Sequence, residues 1–148
     1  MDRAPHEVRG RDWLSVAAVA FLAANLLHGF DHVRQHFAGV NAEVLIGGML
    51  ITATAVMVVV AVRRDHPRAP LLAVVVGFAA AFLVAGSHLA PHWSVLSDSY
   101  VDDISPDIVS WLVVMLEIVA ALLMGLVGLW RSRSRSRSRS RPPIPARA

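Results

Sequence analysis

Four apolar runs dominate this sequence, and each is long enough to cross a lipid bilayer as a helix. The runs cover residues 13–30, 42–62, 71–90 and 108–130. A hydrocarbon layer of about 30 Å requires roughly 20 helical residues. Backbone N–H and C=O groups inside a bilayer must be paired within the chain, which excludes extended or irregular spans. The pattern predicts an all-α polytopic membrane protein with four transmembrane helices.

The connections between the runs are short, so we expect consecutive helices to lie antiparallel in one bundle. The transmembrane domain then covers residues 13–130, after a polar N-terminal tail at 1–12. Arg and Ser alternate from Arg131 to Arg141, and we expect residues 131–148 to form a disordered basic tail. No room is left in the 148 residues for a separate soluble domain.

Individual residues predict where the helices begin and end. We expect the first helix to continue to about Ala38. Asn41 is placed to cap the second helix at its N-terminus, and Pro70 suits the first turn of the third. Pro91 lacks a backbone N–H and clashes with the preceding turn, so it ends or kinks the third helix.

The distribution of arginine predicts the orientation in the membrane. The N-terminal segment, the second connection and the C-terminal tail are basic, whereas the other two connections are not. Under the positive-inside rule, both termini are then cytoplasmic, and we expect the protein in a bacterial plasma membrane. The basic tail is expected to bind anionic lipid and not nucleic acid, because it follows a transmembrane helix. A homo-oligomer or a larger membrane complex remains open.

Histidines recur at four-residue spacing where the first apolar run ends. His28, His32 and His36 share one face of a helix, since residues four apart are separated by about 40° around it. His88 and His92 lie at the end of the third run. In the predicted orientation, five of the seven histidines therefore reach the outer face of the membrane.

This spacing is typical of helices that offer two imidazoles to one metal ion. Asp31 lies among the histidines and is a candidate ligand or a partner that orients a ring. The chain has no cysteine, so a metal would have nitrogen and oxygen ligands, which suit zinc, nickel, copper or iron. The predicted site consists of His28, Asp31, His32 and His88, with His36 and His92 at its periphery.

The segment Gly29-Phe30-Asp31-His32 resembles the end of the His-Pro-x-x-Gly-x-Asp-His signature of nickel/cobalt permeases of the hydrogenase- and urease-accessory type. That signature also lies on a first transmembrane helix. The family's leading histidine falls on Asn25 and its proline on Leu26, and this chain has two fewer predicted helices than the family. The four-residue resemblance favours a metal ion, bound or transported, over haem.

Two other functions fit the same residues. In a b-type haem protein or small redox subunit, His28 and His88 would be the axial ligands. In a non-catalytic accessory subunit, the histidines would be incidental or would sense pH, since imidazole titrates near ~6.5. No general base is clearly placed for catalysis, so an enzyme is the less favoured interpretation.

Glu117 lies near the middle of the fourth run, where an ionisable group is costly. It is a candidate proton or cation relay below the histidines, with Asn25, Thr52 or Thr54 as neighbours. Alternatively, it is a protonated glutamate that forms a hydrogen bond between helices or at a dimer contact.

Overall fold

The computed structural model describes the backbone of residues 5–37, 40–102 and 106–139 and the side chains of residues 13–37, 40–102 and 106–135. Within these ranges the chain is entirely helical between its turns, with no strand. The helices are α1 (Pro5–Arg34), α2 (Ala42–Arg63), α3 (Ala69–His88) and α4 (Ile108–Arg139). Each contains a segment long and apolar enough to cross a membrane, so the predicted fold class is confirmed.

The helices form a four-sided antiparallel bundle. α1 and α3 each pack against both α2 and α4, so α1 and α3 lie on one diagonal. At one end of the bundle α1 and α3 finish while α2 and α4 begin, and we call this the histidine end. We call the opposite end the arginine end, because the arginines with described side chains, other than Arg34, lie there. They are Arg63, Arg64, Arg68, Arg131, Arg133 and Arg135.

The predicted helix signals for α2 and α3 are confirmed. The Asn41 side chain accepts a hydrogen bond from the N–H of Val44 at 2.9 Å and caps α2. Pro70 occupies the first turn of α3. α3 ends at His88, three residues before Pro91, as expected for a residue that cannot continue a helix.

The first helix differs from the prediction at both ends. Its described part begins at Pro5, within the segment predicted as a polar tail, because a polar segment can satisfy its own backbone as a helix. It ends at Arg34 and not near Ala38, because His36 and Phe37 adopt left-handed conformations with φ of 53° and 54°. Ala38 itself lies outside the described residues.

The fourth helix continues beyond Trp130, where the apolar run ends. It includes residues 131–139 of the segment predicted as a disordered tail, while 140–148 lie outside the described residues. The Ser132 hydroxyl donates to the carbonyl of Gly128 at 3.0 Å, and Arg135 donates to the carbonyl of Pro67 at 2.9 Å. Arginine is a good helix former, so α4 continues without an apolar face.

Two glycines allow α3 and α4 to approach closely. A Cβ atom at Gly77 would lie 2.6 Å from the backbone oxygen of Ala121 and 2.7 Å from the nitrogen of Gly125. A Cβ atom at Gly128 would lie 2.7 Å from the backbone oxygen of Pro70. Small residues at such crossings bring backbones into van der Waals contact, which drives helix association in lipid.

We expect Gly77→Ala to lower the free energy of unfolding by about 1–3 kcal/mol, because the added methyl group overlaps backbone atoms of α4. Gly86→Ala is the matched control on the same helix, since a Cβ atom there meets nothing within 4 Å. The control should unfold at the wild-type temperature or above it, because alanine favours a helix. Thermal unfolding in detergent measures both, and equal stability of the two variants would contradict the packing assignment.

Candidate metal centre

Three imidazoles meet at the histidine end of the bundle. His28 and His32 come from one face of α1, and His88 is the last residue of α3. The ring centroids are 4.7 Å apart for His28 and His32, 4.8 Å for His28 and His88, and 5.7 Å for His32 and His88. One ring nitrogen from each residue lies within 4.8 Å of the other two. The imidazoles thus link the diagonal helices α1 and α3.

The Nδ1 atom of each ring faces an oxygen of the protein. His28 Nδ1 is hydrogen-bonded to Glu117 Oε2. His88 Nδ1 donates to the backbone carbonyl of Asp98 at 3.0 Å, and His32 Nδ1 is 3.8 Å from Asp98 Oδ2. A carbonyl only accepts, so His88 carries its proton on Nδ1 and has a lone pair on Nε2. Partners of this kind orient metal-binding histidines in proteins.

The other nitrogen of His28 is available for a ligand. Its Nε2 atom is buried and has no hydrogen-bond partner among the described residues. A buried polar atom without a partner is uncommon, because it loses its hydrogen bonds to water without replacement. A ligand bound at the histidines would satisfy it.

A polar network connects Glu117 on α4 to α1 and α2. The Thr52 hydroxyl on α2 donates to Asn25 Oδ1 at 2.6 Å, and Asn25 Nδ2 on α1 donates to Glu117 Oε1 at 2.9 Å. Glu117, on α4, is only 1% exposed and binds His28 with its second oxygen. Of the predicted neighbours, Thr54 lies outside the network, and its hydroxyl donates to the carbonyls of Leu50 and Ile51.

Asp31, predicted as a ligand or as a partner that orients a ring, lies outside the imidazole group. It precedes His32 by one residue and therefore points about 100° away around α1. Its Oδ1 accepts from Arg34 Nε at 2.7 Å, and its Oδ2 accepts from Gln35 Nε2 at 2.6 Å. Both carboxylate oxygens thus have partners at the edge of the bundle.

Arg34 continues this contact to α4. It donates two hydrogen bonds to the carboxylate of Asp107, each at 2.9 Å. The Arg34 guanidinium lowers the pKa of Asp107 to about 2. Arg34 thus joins Asp31 on α1 to Asp107 at the start of α4. Both carboxylates bind Arg34 and do not face the imidazole group.

The peripheral histidines are not part of the group. His36 lies exposed in the turn after α1, and His92 lies exposed in the connection from α3 to α4. The left-handed backbone at His36 interrupts the helical spacing that would align it with His28 and His32.

Asp98 contacts the imidazoles, although its place in the sequence does not predict this. It is 2% exposed, and its Oδ2 is 3.5 Å from His88 Nδ1. The connection after α3 folds back over the histidines: Asp98 N–H donates to the carbonyl of Ser87, and Tyr100 N–H to that of His88, each at 3.0 Å. The acidic composition of this connection was the one available signal, and it does not distinguish Asp98 from the neighbouring aspartates.

The same folded connection buries Tyr100 against the site. Its ring centroid lies 4.8 Å from that of His88 and 5.5 Å from that of Trp111. Burial, together with the nearby Asp98 carboxylate, raises the pKa of Tyr100 above its usual value. Tyr100 thus covers the site in its neutral form.

A partly open cavity of about 290 Å³ lies beside the rings, between α1, α2 and α3. All three imidazoles reach it, as do Asn25, Thr52 and Glu117 of the polar network. Gly47 and Gly48 on α2 also line it, and a Cβ atom at either position would meet nothing within 4 Å. The site therefore has open space on the α2 side.

Comparisons with protein-family models, with curated proteins and with solved structures give no significant match to this chain.

We expect Glu117→Leu to destabilise the protein, although it removes an ionisable group from the apolar interior. The substitution leaves Asn25 Nδ2 without its acceptor and His28 Nδ1 without its hydrogen-bond partner, at a cost of about 1–3 kcal/mol for each group. Glu117→Gln retains an acceptor oxygen and should be closer to wild type. Thermal unfolding in detergent compares the two, and a Glu117→Leu protein more stable than wild type would show that the network does not hold the helices together.

Proposed function

We propose that this membrane protein binds a divalent transition metal ion through His28, His32 and His88. The observation that carries the proposal is the group of ring nitrogens within 4.8 Å of one another, drawn from two helices that lie on a diagonal. Zinc, copper, nickel and iron all accept such a set of imidazole nitrogens.

The distances between the histidine nitrogens are slightly longer than those in a metal site. Metal–nitrogen bonds of about 2.0–2.1 Å place tetrahedral ligands roughly 3.4 Å apart. The ring nitrogens lie within 4.8 Å of one another, so binding requires them to move closer by up to about 1.4 Å. The Nδ1 partners described above leave Nε2 of His28 and His88 available as ligand atoms.

The charges around the group also support a divalent cation. Glu117 and Asp98 are buried, and their carboxylates flank the imidazoles on different sides. Two buried carboxylates in an apolar interior are costly unless positive charge compensates them. A dication bound by the imidazoles would balance both.

The geometry favours an ion over haem. Axial histidines of a haem lie on opposite sides of the iron, with the macrocycle between them. The His28 and His88 centroids are only 4.8 Å apart, and His32 stands beside both rings. The accessory or pH-sensing alternative predicts no stoichiometric metal and is tested by the same experiment.

Binding at one end is better supported than passage of the ion through the bundle. Phe21 lies seven residues before His28, Val58 six residues after Thr52, and Met124 seven residues after Glu117. All three lie towards the arginine end, and each is 0% exposed. These side chains close the centre of the bundle below the polar network in this conformation. Transport would therefore require the helices to separate.

We propose that the histidine end faces outward and the arginine end faces the cytoplasm of a bacterial cell. The acidic residues with described side chains at the histidine end are Asp31, Glu43, Asp98, Asp102 and Asp107, with Glu117 deeper in the bundle. The arginine end carries six arginines with described side chains. This asymmetry supports cytoplasmic termini under the positive-inside rule and contact of the arginines with anionic lipid headgroups.

We expect protein purified in mild detergent without a histidine tag to contain one metal ion per chain by elemental analysis. His28→Ala, His32→Ala and His88→Ala should each lose the metal, because each removes one of three ligands. His36→Ala and His92→Ala are the matched controls and should retain it, since both residues are exposed. Absence of metal from the wild type after loading with zinc or cobalt, or equal metal in all variants, would overturn the proposal.

The chain has no cysteine, so a single introduced cysteine is the one thiol that a maleimide can label. Its labelling therefore reports the orientation of the protein in the membrane. Val95 lies in the connection at the histidine end, and His66 lies in the connection at the arginine end. The two test variants are Val95→Cys and His66→Cys. In intact cells a membrane-impermeant maleimide should label Val95→Cys at once, and His66→Cys only after permeabilisation. The reverse pattern would place the metal site on the cytoplasmic side.

A further inference from the structure

We infer that the cavity between α1, α2 and α3 binds a small uncharged molecule, which has a nitrogen or oxygen donor at the metal and an apolar body in the cavity. The inference rests on the proposed metal site. Three protein ligands leave a position open on a four-coordinate metal, which is the arrangement of sites that bind an exchangeable ligand. The cavity reaches His28, His32 and His88, so a molecule within it has access to that position.

The charge balance selects an uncharged ligand. Glu117 and Asp98 already place two acidic groups beside the imidazoles, and Glu43 adds a third at the cavity wall. An anionic ligand would add negative charge that no described lysine or arginine at the cavity wall balances, because the described lining residues include neither type. Such a charge is costly in an apolar interior. A neutral nitrogen or oxygen donor avoids that cost.

The walls select an apolar body. Beyond the polar groups at the imidazoles, the cavity is lined by aliphatic side chains such as Val44, Met49 and Leu83. Gly47 and Gly48 leave open the space that larger side chains on α2 would fill. A volume of about 290 Å³ accommodates about ten non-hydrogen atoms at roughly 30 Å³ each, judged from the volume of liquid water.

The test uses Co²⁺-loaded full-length protein in detergent, titrated with 1-methylimidazole, 1-butylimidazole and pentanoate. Visible absorption of the bound Co²⁺ reports coordination. We expect 1-butylimidazole to bind more tightly than 1-methylimidazole, by up to about fourfold for each methylene that the cavity buries. Pentanoate, an anion with the same alkyl chain, should bind at least tenfold more weakly than 1-butylimidazole.

Gly47→Leu fills the cavity and should abolish the preference for the butyl group, while 1-methylimidazole still binds. Gly86→Leu is the matched control, because Gly86 is a helix glycine with open space around it but does not line the cavity. The alkyl chain partitions into detergent equally in all samples. A difference in butyl preference between variants therefore reports binding to the protein. If Gly47→Leu does not load Co²⁺, Gly48→Leu provides the same test.

The outcomes separate the two proposals. A butyl preference that Gly47→Leu abolishes and Gly86→Leu retains would support the ligand site. Bound Co²⁺ with an absorption spectrum that neither imidazole changes, or a butyl preference that both filled variants retain, would overturn the ligand site and leave the metal site intact. Failure of the wild type to bind Co²⁺ would overturn the metal site, and the ligand site with it.

Discussion

The hydrogen bonds of Glu117 determine how three of the four helices meet inside the bundle. The carboxylate on α4 binds Asn25 and His28 on α1, and Asn25 in turn accepts from Thr52 on α2. In an apolar interior each of these polar groups would be costly alone, so the bundle is stable only in the register that satisfies all of them. The position of the His28 ring follows from that register.

The proposed metal site joins two helices that each pack mainly against α2 and α4. α1 and α3 lie on a diagonal, and a bound ion would join them directly at the histidine end. The connection after α3 also contributes to the site, because it folds over the rings and brings Asp98 to His88 and His32. Ion binding and closure of this connection should therefore stabilise each other, since both depend on the same imidazoles.

Much of the architecture could be predicted, because hydropathy and helix signals are local properties of the chain. The apolar runs, the Asn41 cap and the Pro70 start required no knowledge of tertiary contacts. The prediction that α1 continues to about Ala38 was wrong, because the helix ends at Arg34. The left-handed turn at His36 and Phe37 that follows it has no signal in the amino-acid composition. The apolar boundary at Trp130 did not end α4, because a helix satisfies its backbone in water as well as in lipid.

The sequence by itself determined four apolar helices, the charge difference between the two ends and the alignment of His28 with His32, since these follow from composition and helical periodicity. The tertiary structure decided which acidic residues serve the imidazoles. Asp31 is adjacent to His32 in sequence but turns toward Arg34, whereas Glu117 and Asp98 reach the rings from distant segments. Helical geometry separates adjacent side chains by about 100°, and only the packing of the helices brings distant ones together.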